Sequence, residues 1–248
     1  MERGEVERLD ASEQRMWWFR ALHRNLIQAW LGLAARRGGG ERLLDAGCGT
    51  GGFLARLGEA RPGAFCAGID RDALACRFAR GKGAKVVQGS VGALPFAGGS
   101  FDAVFSADVL CHGGVDQREA LREMRRCLKP GGLLVLNLPA YRWLYSAHDR
   151  AVDNVRRYGR AEVAALLDEA GFIRIRTSYW NTLLFPLMVA RRKLGSRGAA
   201  SDVSVLPRPL EWLLAGVAAA ESGLLAWLLA WGLRLPFGGS ILAAGVRP

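Results

Sequence analysis

An α/β domain with a doubly wound, mostly parallel seven-stranded sheet is the fold predicted by three observations. Seven short apolar runs recur along the chain with helix-patterned segments between most of them. The first run ends in a glycine-rich turn, "DAGCGTGG" (45–52), and most of the later ones end in Gly, Pro or Asp. Alternation of this kind is the pattern of βαβ units packed into one sheet. With 248 residues, half of them apolar, the chain is long enough for one core with an elaboration.

The elements follow in order. Residues 11–37 read as a helix, because Trp17, Trp18, Leu22, Leu26, Trp30 and Leu33 fall near helical spacing and "RRGGG" ends the run. Residues 1–40 are accordingly expected to form an N-terminal helical cap. Strands are expected at 42–47, 65–70, 84–90, 101–107 and 132–138. A polar loop and the helix "AEVAALLDEAG" come next, then strands at 173–179 and 240–246. The core is thus assigned to 41–179 and 238–248, and 180–237 to a helical insertion between the last two strands.

The formal net charge is +11, yet only four of the 34 basic residues are lysines, and the arginines are spread through most of the chain. No basic stripe with aromatic platforms stands out, so a nucleic-acid partner is not expected, although the charge keeps RNA methylation as an alternative. Five cysteines without C-x-x-C spacing argue against a disulfide framework or a structural zinc site, and no metal is assigned. The first twenty residues carry charges of both signs and lack a signal peptide's apolar run, which gives the expectation of a cytoplasmic protein.

In the glycine-rich turn, Gly47, Gly49 and Gly52 satisfy G-x-G-x-x-G, the dinucleotide fingerprint, with Asp70 at the end of "FCAGID" available for a ribose. The competing reading is a site for S-adenosylmethionine (SAM), in which Asp45 supports the turn and faces a cationic amino acid. A buried carboxylate there would repel a pyrophosphate. An unrelated glycine-rich turn explains neither aspartate.

The ordered series "LLDAGCGTGGF", "GID", "GALPFAGGSFDAVFSADVLCH" and "REMRRCLKPGGLLVLNLP" decides between them. Over about residues 42–139 the chain resembles the class I SAM-dependent methyltransferases, close to the group called methyltransferase type 11, with a Rossmann-like fold. The resemblance implies SAM as cofactor and S-adenosylhomocysteine as product. It implies that Asp45, Gly47, Cys48, Gly49 and Gly51 surround the methionine part and that Asp70, with Arg71 beside it, holds the ribose, Asp72 being an equal candidate for the helix cap. It also implies Ser90 and Val91 at the adenine, flanked by Leu94 and Phe96, and Ala107, Asp108 and His112 near the transferable methyl. His112 lies four residues beyond Asp108, which puts it on the same side of an expected helical turn facing the cofactor, and is the first catalytic candidate; His148 with Asp149 is the second. Asp108 has a helix cap as its other reading.

Through "WWF" (17–19), "AHD", "RRY" and "LPFGGSILAAGVRP" the chain also resembles a bacterial subgroup of uncharacterised methyltransferases. That subgroup has a histidine just before Arg-Arg-Tyr. Asp153 and Asn154 stand here instead, so its role is not carried over, and a catalytically inactive binding or scaffold protein becomes an alternative.

The expected acceptor is a small, lipophilic or natural-product molecule. Trp17, Tyr141, His148, Arg156, Arg157 and Tyr158 are the candidate acceptor residues outside the insertion. Within it, "YWNTLLFPLMVARRK" is too short to span a bilayer and contains Pro186, while "LEWLLAGVAAAESGLLAWLLAWGL" is long enough but carries Glu211 and Glu221. A cap over the acceptor pocket is therefore expected, with Trp180, Phe185, Met188 and Trp212 as lining, and a homodimer or a peripheral membrane contact as the other uses of its apolar faces.

Overall fold

The computed structural model describes residues 3–34, 41–194 and 206–248. Among them a seven-stranded sheet has the order β3-β2-β1-β4-β5-β7-β6. The strands are β1 (Arg42–Ala46), β2 (Phe65–Asp70), β3 (Lys85–Gln88), β4 (Phe101–Ala107), β5 (Leu128–Pro139), β6 (Ile173–Trp180) and β7 (Ser240–Val246). Strands β1 to β5 pair in parallel, and β7 inserts antiparallel between β5 and β6. The doubly wound, mostly parallel expectation holds. The reversal of strand order between β1 and β4 opens the crevice at their C-terminal ends where ligands of such sheets bind.

The helices are α1 (Arg3–Ser12), α2 (Trp17–Leu33), α3 (Gly52–Ala60), α4 (Ala73–Gly81), α5 (Gln117–Cys127), α6 (Ala147–Ala151), α7 (Arg160–Glu169), α8 (Phe185–Leu194) and α9 (Arg208–Ala230). The sheet is sandwiched. On one face Leu121, Met124, Val163 and Leu167, from α5 and α7, pack on Leu44, Val104 and Leu134; on the other, Leu22, Leu26 and Trp30 of α2 and Leu225 and Leu229 of α9 pack on Phe105 and Val135.

The single helix expected over 11–37 is two helices with a turn at 13–16. The turn exists because Glu13 leaves the helical path to bind the glycine loop: its carboxylate accepts the Thr50 hydroxyl and the Gly52 N–H, the latter at 3.0 Å. The proposed stop "RRGGG" lies outside the described residues.

Both glutamates of α9 point inward. Glu211 accepts the backbone N–H groups of Trp17 and Leu206 at 2.8 and 3.0 Å, and Glu221 those of Thr182 and Leu183, each at 2.9 Å. Each carboxylate thereby satisfies two orphan donors near helix starts, a favourable place for an anion.

Candidate active site

The glycine turn is shaped by its surroundings. Gly47 and Cys48 donate their N–H groups to the Ile69 carbonyl at 2.8 and 3.0 Å, folding the chain back as β1 ends. Gly47 has φ of 95°, and a Cβ there would stand 2.1 Å from Cγ2 of Val109, so neither the backbone nor the space admits a side chain. Gly52 is closed for a different reason: a Cβ would meet Cδ of Glu13 at 2.3 Å.

Asp70 fixes this turn from β2. One carboxylate oxygen accepts the Gly49 N–H at 2.8 Å, the other the Asp72 N–H at 2.9 Å. Asp72 itself caps α4 by accepting from Leu74 and Ala75, which decides between the two cap candidates. Asp70 keeps further acceptor capacity, since each carboxylate oxygen has two lone pairs.

A cavity of about 870 Å³ opens beside the turn, walled by the ends of β1, β2 and β4 and by residues of α1, α2, α8 and α9. Of the cofactor candidates, Asp45, Gly47, Cys48, Gly49, Asp70, Arg71, Ser90, Val91, Ala107, Asp108 and His112 lie on its wall, whereas Gly51 packs against Ala79 instead. So do Trp17, His148, Arg157 and Met188 among the acceptor candidates.

The wall holds an unusual concentration of carboxyl groups. Burial holds Asp45 well above the usual carboxylate range, and the nearby Glu13 and Asp70 carboxylates push it in the same direction. Burial also raises Glu13, against the Thr50 hydrogen bond and the Lys82 charge. Asp108 is raised to about 7, burial outweighing the Asn137 hydrogen bonds and Arg157. Asp108 sits at φ of 54°, a left-handed conformation that Asp tolerates better than most residues. Its carboxylate is oriented by a relay: Trp180 Nε1 donates to Asn137 Oδ1 at 2.7 Å, and Asn137 Nδ2 donates to both Asp108 oxygens at 3.0 Å. Clustered, buried carboxyl groups favour a cation and repel a pyrophosphate. A glycine-rich turn beside carboxyl groups that a bound cation would help to ionise fits the amino-acid and sulfonium end of SAM and disfavours the dinucleotide reading.

Several candidates are placed elsewhere than expected. Leu94 and Phe96 belong to the core beneath the sheet rather than to the cavity wall. His112 is not on a helical turn. It lies in a loop bridged to Asn154, and no helix follows Asp108 for it to cap. Arg156 faces away from the cavity, its Nη1 donating to the carbonyls of Leu110, His112 and Val115. Arg157 is buried against Asp149 at 2.8 Å and donates to the Ala140 carbonyl, and Asp149 also accepts from Ser146. Asp149 is thus tied into the loop by Arg157 and Ser146. Tyr158 is in the core with its hydroxyl donating to Leu110 and Gln117. The "RRY" run clamps the loop holding His112, which a motif reading cannot distinguish from an exposed anion site.

Of the aromatic candidates, Trp180 is buried behind the wall, where it stacks on the wall residue Trp18 at 6.0 Å between ring centroids and donates to Asn137. Tyr141 and Phe185 form an aromatic cluster with Tyr179 and Phe237 outside the cavity wall. Trp212 is 73% exposed.

Sequence reasoning missed Glu13 and His23, which both line the cavity. His23 is buried beside Phe53, and burial lowers it to about 3, so at 4.0 Å from Glu13 it meets that carboxyl as a neutral ring, not as an ion pair. It also missed the apolar contribution of Leu184, Leu187, Leu210 and Leu214. The i, i+4 spacing of Leu210 and Leu214 was the available signal.

Fold and site together define a class: an enzyme core of the SAM-binding kind, with an acidic cradle at the sheet's switch point. Residues 44–136 match the family model described as a methyltransferase domain. The chain is 34% identical over 157 residues to a 24-methylenesterol C-methyltransferase of Oryza sativa subsp. japonica, covering 54% of this chain and 41% of that protein. It is 30% identical over 169 residues to demethylmenaquinone methyltransferase of Staphylococcus aureus, covering 55% of this chain and 70% of that protein. Among solved structures, a SAM-dependent methyltransferase from Thermotoga maritima superposes with a TM-score of 0.62 at 20% identity, over 99% of this chain and 95% of that one, a likeness of fold alone. The chain belongs to the SAM-dependent methyltransferase family. It spans only part of the length of the sterol enzyme, so its own substrate is a separate question.

Proposed function

We propose that this protein transfers the methyl group of SAM to a small lipophilic acceptor. The observation that carries the proposal is a division within one cavity: Asp45, Asp70 and Asp108 form an acidic end at the strand termini, while Trp17, Leu184, Leu187, Met188 and Leu214 form an apolar end under α2, α8 and α9. The two relatives above, named for a sterol and a demethylmenaquinone, support an acceptor of that character. In this reading the N-terminal helices and the insertion serve as the cap of the acceptor pocket.

SAM supplies an activated methyl group whose departure leaves a neutral thioether. What the protein must add is alignment and exclusion of water. Asp70 suits the ribose hydroxyls, and Asp45 and Asp108 suit the cationic end. Burial lowers the His112 pKa, so at neutral pH its ring is uncharged and able to accept a proton from an acceptor hydroxyl or acidic carbon. His148 is the second candidate for that role.

The test is transfer of a labelled methyl group from SAM to a panel of demethylated quinones, sterols and isoprenoids, with a carbohydrate and an RNA panel beside it. Labelling of an apolar acceptor is expected. Labelling confined to RNA or to carbohydrates would overturn the acceptor class, and SAM binding without transfer to any panel would favour the binding-module alternative.

A further inference from the structure

Helix α9 is inside out. From Pro209 to Leu233 the only charged side chains are Glu211 and Glu221, and both are buried. The opposite face carries Leu213, Leu224, Trp227 and Trp231 at intervals that keep them on one stripe, with the small Ala220 between, and all five are exposed, Trp231 at 72%. A soluble helix turns its apolar stripe to the core and its charges to water. Here the carboxylates are used up on backbone N–H groups inside the protein, and the solvent face is left with leucine and tryptophan.

The helix is long and apolar enough to cross a membrane by length and composition. It is not arranged to do so. Its inner face is packed on α2 and on the sheet through Leu225 and Leu229, and its two glutamates are fixed to the first residue of α2 and to the segment before α8. A helix with one face committed to a protein core and the other apolar fits the plane of a bilayer surface, not its normal.

We propose that the outer face of α9 docks this protein on an anionic lipid bilayer. Charge complementarity selects that occupant. Arg208 and Arg234 are exposed at the two ends of the stripe. The whole chain carries +11. Basic side chains bordering an apolar stripe attract acidic headgroups, and indoles partition to the headgroup level. A second copy would present the same basic ends to the first, so a two-fold pairing through this stripe places like charges together.

The stripe also runs into the cavity rim. Leu187 and Leu210 line the cavity and are 60% and 41% exposed, and Leu213 and Leu183 stand beside them on the outside. The same docking therefore brings the cavity mouth to the lipid, a route by which an acceptor leaves the bilayer without crossing water. This last step rests on the lipophilic-acceptor reading; the docking itself does not.

The experiment is sedimentation of the full chain with vesicles of phosphatidylcholine alone or with about a third phosphatidylglycerol. The wild type is expected to sediment with the anionic vesicles and to be released in part by salt. Replacing Trp227→Glu and Trp231→Glu together is expected to weaken partitioning at least about tenfold, since a carboxylate is strongly disfavoured in the interface, while melting temperature and far-ultraviolet circular dichroism stay unchanged. Arg208→Glu with Arg234→Glu is expected to remove the preference for anionic vesicles. Wild type that stays in the supernatant overturns the proposal, as does equal partitioning of the Trp227/Trp231 variant. A light-scattering dimer that this variant dissolves, without vesicle binding, assigns the stripe to a second copy instead. Because vesicle binding is read without SAM, a failure of the methyltransfer reading leaves a distinct signature: docking without turnover.

Discussion

Asp70 holds two backbone N–H groups, at Gly49 and Asp72, and still lines the cavity. Asp70→Ala should weaken SAM binding by about 1.5–3 kcal/mol, the range for a lost hydrogen bond to a charged group. Unchanged affinity by calorimetry would confine Asp70 to turn support. Asp108 gives a pH dependence. Its carboxyl keeps its proton to about 7 in the folded chain against 3.8 ordinarily. Its contribution to stability is therefore complete below 3.8 and is lost as pH rises through about 7. Cofactor binding runs the other way, because the ionised form attracts a cation: SAM affinity should increase several-fold as pH rises through about 7, and Asp108→Asn should flatten that rise. A flat wild-type profile would remove Asp108 from the cationic end. At this scale the sequence was informative where a short motif fixes geometry, as at Gly47, Gly49 and Asp70. It was silent where a residue's partner is remote, as for Arg156 and Trp180, because a loop arginine or an aromatic has the same local signature whether it clamps carbonyls, orients an amide or faces a ligand.

The elements were legible to different degrees for a physical reason. Strands β1, β2, β4 and β5 carry apolar runs because helices cover both faces of the sheet there, and such runs stand out between turns, whereas β3 is a short edge strand exposed at three of its four positions. The break between α1 and α2 did not, since apolar residues continue at helical spacing across it and only the remote Thr50 and Gly52 explain why Glu13 leaves the helix. Glu13→Ala removes the acceptor of both groups and should cost about 1–3 kcal/mol of stability, with weaker SAM binding through the loosened turn. A melting temperature and affinity equal to wild type would show that α1 merely covers the loop. The insertion makes a complementary prediction. Leu184→Glu with Met188→Glu places charge in the apolar end and should reduce transfer to a lipophilic acceptor by about tenfold or more, while SAM affinity changes little. Loss of SAM binding in that variant would mean that the apolar end belongs to the cofactor's own pocket.

For the whole molecule, the sheet supplies a switch-point crevice common to many activities, and specificity must come from what closes over it. Here that closure is supplied by α2, α8 and α9, whose residues form the apolar end of the cavity. Residues 180–237 read in the sequence as an insertion, but which way α9 faces is not legible there, because its two glutamates register only as obstacles to a membrane span until their backbone donors are seen. Deleting the segment is not a neutral operation, since Leu225, Leu229 and Leu235 belong to the core under α2. The central claim, that the acidic cradle is a SAM site, is tested most directly by calorimetry of the intact chain with SAM and with S-adenosylhomocysteine. The account predicts that both bind with a stoichiometry of about one per chain and that the affinity for each falls in the Asp70→Ala variant. Well-folded protein that binds neither would contradict it.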